Sequence, residues 1–155
     1  MNKETSPFPK ELLGRLLLRQ GILTSGQIQA ALAEQQKRGG LLGEILVRLG
    51  FLQEIDVVAA LVNQCAVPYV AIEKYPPNPQ VLAVIPEKLA QSWRLIPLDR
   101  VGDVLSVVMA DPFDGEVRQR LETLTGLKIA TFIATPTAIQ EAIARWYPGS
   151  GMGLL

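Results

Sequence analysis

Apolar residues in the first part of the chain recur at helical spacing, and the whole pattern then repeats. Residues 12–35 and 41–64 align without a gap at an offset of 29, as LLGRLLLRQGILTSGQIQAALAEQ and LLGEILVRLGFLQEIDVVAALVNQ. The matches fall at Leu13/Leu42, Gly14/Gly43, Leu17/Leu46, Gly21/Gly50, Leu23/Leu52, Ile28/Val57, Leu32/Leu61 and Gln35/Gln64. A fixed period of this length marks a structural repeat. Each copy predicts a short helix, a glycine stop and a second amphipathic helix. Pro9 suits the first turn of helix one, and Gly21 falls just past its end, where a left-handed residue costs least without a Cβ. Thr24 and Gln27 have capping-box spacing, Leu23 and Ile28 stand at the positions of a hydrophobic staple, and Ile28, Ala31 and Leu32 continue the apolar face. In the second copy Gln53 replaces the threonine and is a poor cap, so that helix start should lean more on packing. Gly39 and Gly40 end the first copy, and the two hairpins should stack into a four-helix subdomain.

After Gln64 the pattern changes. Residues 67–72 are β-branched and apolar and read as a strand, and residues 73–79, with three prolines and an asparagine, read as a tight linker. Pro79 and Pro86 can each open a short helix. Residues 95–98 and 104–109 read as a hairpin about the turn Asp99-Arg100-Val101-Gly102-Asp103. Val117, Leu121 and Leu124 fall at helical spacing up to Gly126, residues 127–134 read as a strand, and Thr135-Pro136 starts a last helix. Its apolar face is Ile139, Ala142, Ile143 and Trp146, and Pro148 and Gly149 end it. The fold class expected is α+β: an N-terminal four-helix tandem-repeat subdomain followed by a small α/β sandwich subdomain. The expected boundaries are a flexible N-terminus at 1–9, the helical subdomain at 10–66, the α+β subdomain at 67–147, and a tail or linker at 148–155.

Composition narrows the chemistry. The chain has 155 residues, 48% of them apolar, with 15 basic against 15 acidic side chains, one cysteine and no histidine. A neutral chain without a basic stripe excludes the usual field for DNA or RNA. Without histidine there is no Ser-His-Asp triad and no imidazole metal ligand, and lone Cys65 forms no internal disulfide and reads as a small buried hydrophobe. No glycine precedes a lysine, so there is no Walker loop and no expected ATP hydrolysis by these residues. The polar start and the lack of a long apolar run fit a soluble cytoplasmic protein. Asp111, Asp114 and Glu116 carry two readings, a divalent-metal site or acids that stabilise a helix start. Gly14 and Gly43 also carry two. Each lies early in a helix, where glycine costs about 1 kcal/mol relative to alanine, so either a neighbouring helix or a flat ligand comes close. Gln35 and Gln64 can offer amide hydrogen bonds at equivalent helix ends.

On these residues the chain resembles the amino-terminal domain of the type II secretion and type IV pilus assembly ATPases, a family that includes a cyclic di-GMP-binding version. The resemblance covers roughly residues 10–147 and rests on two tandem motifs of the form RLGxxLxxxGxLxxxxLxxxLxxQ, separated by the five residues 36–40, together with the stretch LIPLDRVGDVLSVVMADPFD. It implies no cofactor, a cyclic di-GMP ligand, and binding residues Leu13, Gly14, Leu17, Gly21, Leu32 and Gln35 in the first motif. In the second motif it implies Leu42, Gly43, Leu46, Gly50, Leu61 and Gln64. The motif's opening arginine, able to stack on a guanine and offset phosphate charge, is replaced by Leu12 and Leu41. The resemblance further implies two partners, a secretion or pilus motor ATPase and its inner-membrane platform protein, with the domain cytoplasmic and peripheral at the inner membrane through that partner. Any ATPase activity would belong to a separate motor domain. Two functions follow: a regulatory module that senses cyclic di-GMP, or a pure protein-interaction module in which the repeats only pack.

Overall fold

The computed structural model describes the backbone of residues 10–40, 42–65, 67–112 and 114–147, and the side chains of all of these except 10–12, 64 and 65. Expectations placed on Pro9, Leu41, Pro148 and Gly149, on the side chains of Leu12, Gln64 and Cys65, and on residues 1–9 and 148–155 lie outside that description. The fold is α+β, with N-terminal helices followed by a three-stranded mixed sheet and its helices. The chain divides into two compact units before Val67.

The helical unit contains α1 (Lys10–Arg19), α2 (Ser25–Arg38), α3 (Leu42–Arg48) and α4 (Glu54–Cys65). Its interior is aliphatic: Leu16, Leu17, Ala31, Ile45, Leu46 and Ala60 are all buried. The start of α2 is built as its sequence predicts. Thr24 Oγ1 accepts from Gln27 N–H at 3.2 Å, Gln27 Oε1 accepts from Thr24 N–H at 2.9 Å, and both staple residues, Leu23 and Ile28, are buried. At the start of α4 half of that box survives, because Asp56 Oδ2 accepts from Gln53 N–H at 2.9 Å.

The second unit contains α5 (Pro79–Leu82), α6 (Glu87–Trp93), β1 (Leu95–Val101), β2 (Val104–Met109), α7 (Gly115–Thr125), β3 (Lys128–Ile133) and α8 (Pro136–Trp146). Strands β1 and β2 form an antiparallel hairpin, and β3 joins β2 in parallel after the α7 crossover, giving the order β1-β2-β3. The hairpin turn is shorter than the sequence suggests. Pairing runs on to Val101↔Val104, with a bulge between Pro97 and Asp99, and leaves Gly102 and Asp103 as the turn. The core of this unit joins Leu95, Ile96, Leu105, Val107 and Met109 of the sheet to Leu121 of α7 and to Ile139 and Ile143 of α8. Thr135 caps α8 by accepting from Ala138 N–H at 3.1 Å, with Pro136 in the first turn.

One expected strand is corrected. Residues 67–72 make a single parallel bridge, Tyr69↔Ile133, and no continuous strand. Val70 N–H donates to Ile133 O at 3.1 Å and Ile133 N–H to Pro68 O at 2.9 Å. Pro68 has no N–H to extend the ladder, and the backbone turns at once, with Lys74 N–H on Ala71 O at 2.8 Å. The outer edge of β1 is covered by residue 78, whose N–H donates to Leu98 O at 2.9 Å and whose amide donates to Asp99 Oδ1 at 3.2 Å. The Asn78 amide, then the Arg100 N–H, holds the Asp99 carboxyl below its ordinary value.

Candidate functional site

The expected ligand residues all lie in the helical unit, and their arrangement is a duplicated one. Helix α1 ends in a Schellman motif, with Ile22 N–H on Leu17 O and Gly21 N–H on Leu18 O, both at 3.0 Å. Helix α3 ends the same way, with Phe51 N–H on Leu46 O at 3.0 Å and Gly50 N–H on Val47 O at 2.9 Å. The two glycines that permit it have φ of 72° and 85°. The two copies therefore turn their chains by one backbone device.

The contacts between copies are reciprocal. A Cβ built on Gly14 would lie 4.0 Å from Leu42 Cδ2, and one built on Gly43 would lie 3.8 Å from Leu13 Cδ2. Within each copy the same glycine faces the same position of the following helix: a Cβ at Gly14 would lie 3.6 Å from Ile28 Cγ2, and one at Gly43 would lie 3.0 Å from Val57 Cγ1. Helix α2 packs on α3, and its counterpart α4 packs on α1. Residue i touching j′ while j touches i′ is the mark of a twofold axis. A pseudo-dyad thus relates the hairpins and passes between Gly14 and Gly43, bringing Leu13, Gly14, Leu42 and Gly43 together. The crowding at Gly43 gives that glycine a packing reason, whereas Gly14 has room for a methyl group.

The described side chains among the expected site residues differ in exposure. Leu13, Gly14, Leu17, Leu42, Leu46 and Leu61 are interior, Leu17 and Leu46 at 0% exposure, so they pack the hairpins and present little surface. Gly21, Gly50 and Leu32 reach solvent, and Gln35 and Gly43 are half-buried. Gln35 has a structural task as well. Its Nε2 donates to Gly40 O at 2.8 Å and ties the end of α2 to the spacer between copies. One repeated pair lies outside the motif: Arg19 and Arg48 also stand 29 apart, each the last residue of its copy's first helix. A residue-by-residue alignment of charged as well as apolar positions would have found it. Glu34 Oε2 pairs with Arg38 Nε at 3.1 Å and approaches Arg48 Nη2 at 3.8 Å, across the α2–α3 seam.

The acidic stretch in the second unit is occupied with structure. Asp114 Oδ1 caps α7, accepting from Glu116 N–H at 3.1 Å and Val117 N–H at 3.2 Å, and Glu116 pairs with Arg120 at 2.8 Å. A pocket of about 370 Å³ is lined by Leu82, Ile85, Glu87, Trp146 and Tyr147 among others. The Tyr147 hydroxyl donates to Ile85 O at 2.7 Å, and burial, then the Glu87 charge, raises its phenol well above the ordinary value of 10. Among the described residues no helix is long and apolar enough to cross a membrane.

Comparison with known proteins adds a lineage to this geometry. The family model of the MshEN domain matches residues 65–153. A type IV pilus assembly ATPase PilB of Myxococcus xanthus is 33% identical over 142 residues, 92% of this chain, and the matched part is 25% of that protein's length. A structure of MshE with cdg superposes with a TM-score of 0.75 and 29% identity, covering 87% of this chain and 98% of that one. The N-terminal domain of XpsE superposes with a TM-score of 0.76 over 95% of this chain, and at 23% identity it supports the fold alone.

Proposed function

The chain belongs to the MshEN domain family, and from that premise we propose that it is a non-catalytic regulatory module of a type IV pilus or type II secretion ATPase, whose paired hairpins take cyclic di-GMP. The observation that carries this reading is the pseudo-dyad. Cyclic di-GMP is built of two identical nucleotides, and the hairpins offer two copies of one backbone arrangement, each ending in the same glycine cap. The likeness to MshE with cdg, 29% identical over 87% of this chain, supports the same ligand. A ligand lying across both hairpins binds the closed pair better than a loosened one, and it stabilises the closed state by that difference in affinity. On this reading the domain works in the cytoplasm, docks the motor to its inner-membrane platform protein, and leaves ATP hydrolysis to a motor domain.

A second reading, docking to a protein without nucleotide, is favoured by one observation. Leu18, Ile22 and Ile55 in the helical unit are 41%, 41% and 45% exposed, and Leu32 and Leu49 are 37% exposed. Calorimetric titration of cyclic di-GMP into the domain, with GTP and cyclic di-AMP as controls, separates the two. Saturable one-to-one binding, weakened in Gln35→Ala and tightened when Leu12→Arg and Leu41→Arg restore the motif's arginines, supports the sensor. Absence of heat in the wild type together with recovery in the double arginine variant would assign this chain to docking alone.

A further inference from the structure

The pseudo-dyad holds for the backbone and breaks in charge. On the α2–α3 seam the Glu34 carboxylate faces Arg48 at 3.8 Å while holding Arg38 at 3.1 Å, so the arginine that ends α3 has an acidic neighbour from the other copy. An offset of 29 carries Arg48 onto Arg19 in α1 and Glu34 onto Asn63 in α4, the two positions that the dyad assigns to the α1–α4 seam. Asn63 is uncharged. Arg19 is exposed, and among the described residues it makes no ion pair. One seam carries an ion pair within the chain, and at the equivalent positions of the other the guanidinium has no carboxylate partner among the described residues.

On the reading of the hairpin pair as a seat for cyclic di-GMP, we propose that Arg19 anchors a phosphate of the ligand. The phosphodiester takes, on the α1–α4 seam, the place that Glu34 takes on the α2–α3 seam. The planar guanidinium matches two phosphate oxygens, as it would match a carboxylate. The motif's own arginines are absent at Leu12 and Leu41, so the charge of the ligand has to be met elsewhere, and Arg19 is the repeat-equivalent cation left available. The two phosphates of a symmetric ligand are then unequal: one meets Arg19, and the other meets Arg48 already shared with Glu34.

Four single variants of the domain test this: Arg19→Gln, Arg48→Gln, Asn63→Glu and Glu34→Gln, each titrated with cyclic di-GMP at two salt concentrations and melted without ligand. Arg19→Gln should weaken binding about tenfold, the scale of one charge-assisted hydrogen bond. It should also flatten the salt dependence, whereas Arg48→Gln should change affinity less than about threefold, within the range of an exposed ion pair. Asn63→Glu installs the missing carboxylate, so it should raise the ligand-free Tm by about 1–2 °C and weaken ligand binding by competing for Arg19. Glu34→Gln frees Arg48 and should tighten binding. Equal losses in Arg19→Gln and Arg48→Gln, or unchanged affinity in Asn63→Glu, would overturn the assignment. Failure of the wild type and of every variant to bind would instead remove the cyclic di-GMP reading, while the Tm of Asn63→Glu would still report whether the α1–α4 seam has the geometry of its counterpart.

Discussion

The two hairpins share a backbone plan and realise it with different side chains. The first has a complete capping box at Thr24 and Gln27, and the second keeps only the half supplied by Asp56. A Cβ at Gly14 would find ordinary van der Waals space, and one at Gly43 would be pressed against Val57 Cγ1 at 3.0 Å. Glu34 sits on one seam and Asn63 on the other. What the copies hold in common is the set of positions that fix chain direction and interhelix distance. Capping and charge, which act locally and contribute about 1 kcal/mol or less each, have diverged.

The largest expected difference between the copies is at Gly14 and Gly43. Gly14→Ala should stabilise the helical unit by about 0.5–1 kcal/mol through helix propensity. Gly43→Ala should destabilise it by about 1 kcal/mol, because the new methyl overpacks Val57, and Val57→Ala should restore the loss. Urea titration followed by far-UV circular dichroism measures both, and equal effects would mean that the crowding at Gly43 relaxes without cost. The next test concerns sameness. Gly21→Ala and Gly50→Ala should each cost about 1 kcal/mol, since both force a Cβ into a left-handed cap. A loss confined to one of them would break the equivalence of the two chain reversals. The smallest difference is at the caps: Thr24→Ala should cost about 1 kcal/mol and Asp56→Ala about half of that. Amide exchange in the first turns of α2 and α4 would show each loss at its own helix.

Much of this organisation was legible because it is local. Thr24, Gln27, Leu23 and Ile28 lie within one turn of each other, and their spacing alone specifies the start of α2. The glycine stops at Gly21 and Gly50 and the Thr135-Pro136 start of α8 are equally short-range. What failed depends on distant partners. Residues 67–72 have strand composition, yet their pairing is limited by Pro68 and by the end of β3 at Ile133, about sixty residues away. Gln53 reads as a poor cap because its side chain is not a good acceptor there, and the compensating bond comes instead from Asp56 three residues on, which accepts from Gln53 N–H. The twelve residues that the resemblance implies occupy two copies of one motif, and nothing in their spacing separates buried Leu17 and Leu46 from exposed Gly21 and Gly50. The dyad itself needs three dimensions, because an offset of 29 gives equivalence without saying which helix meets which.

The reciprocal contact of Leu13 with Gly43 and of Leu42 with Gly14 has an ancestral consequence. An interface in which each half presents to the other the surface it receives is what two separate copies of one hairpin would make as a homodimer. Duplication and fusion turn such a dimer into one chain, and the gain is that each copy becomes free to change alone, as Glu34 and Asn63 have done. On that account the five residues 36–40 are the peptide that joins the two halves. Shortening them until the second hairpin cannot fold back on the first would return the interface to its older form, exchanged between two chains.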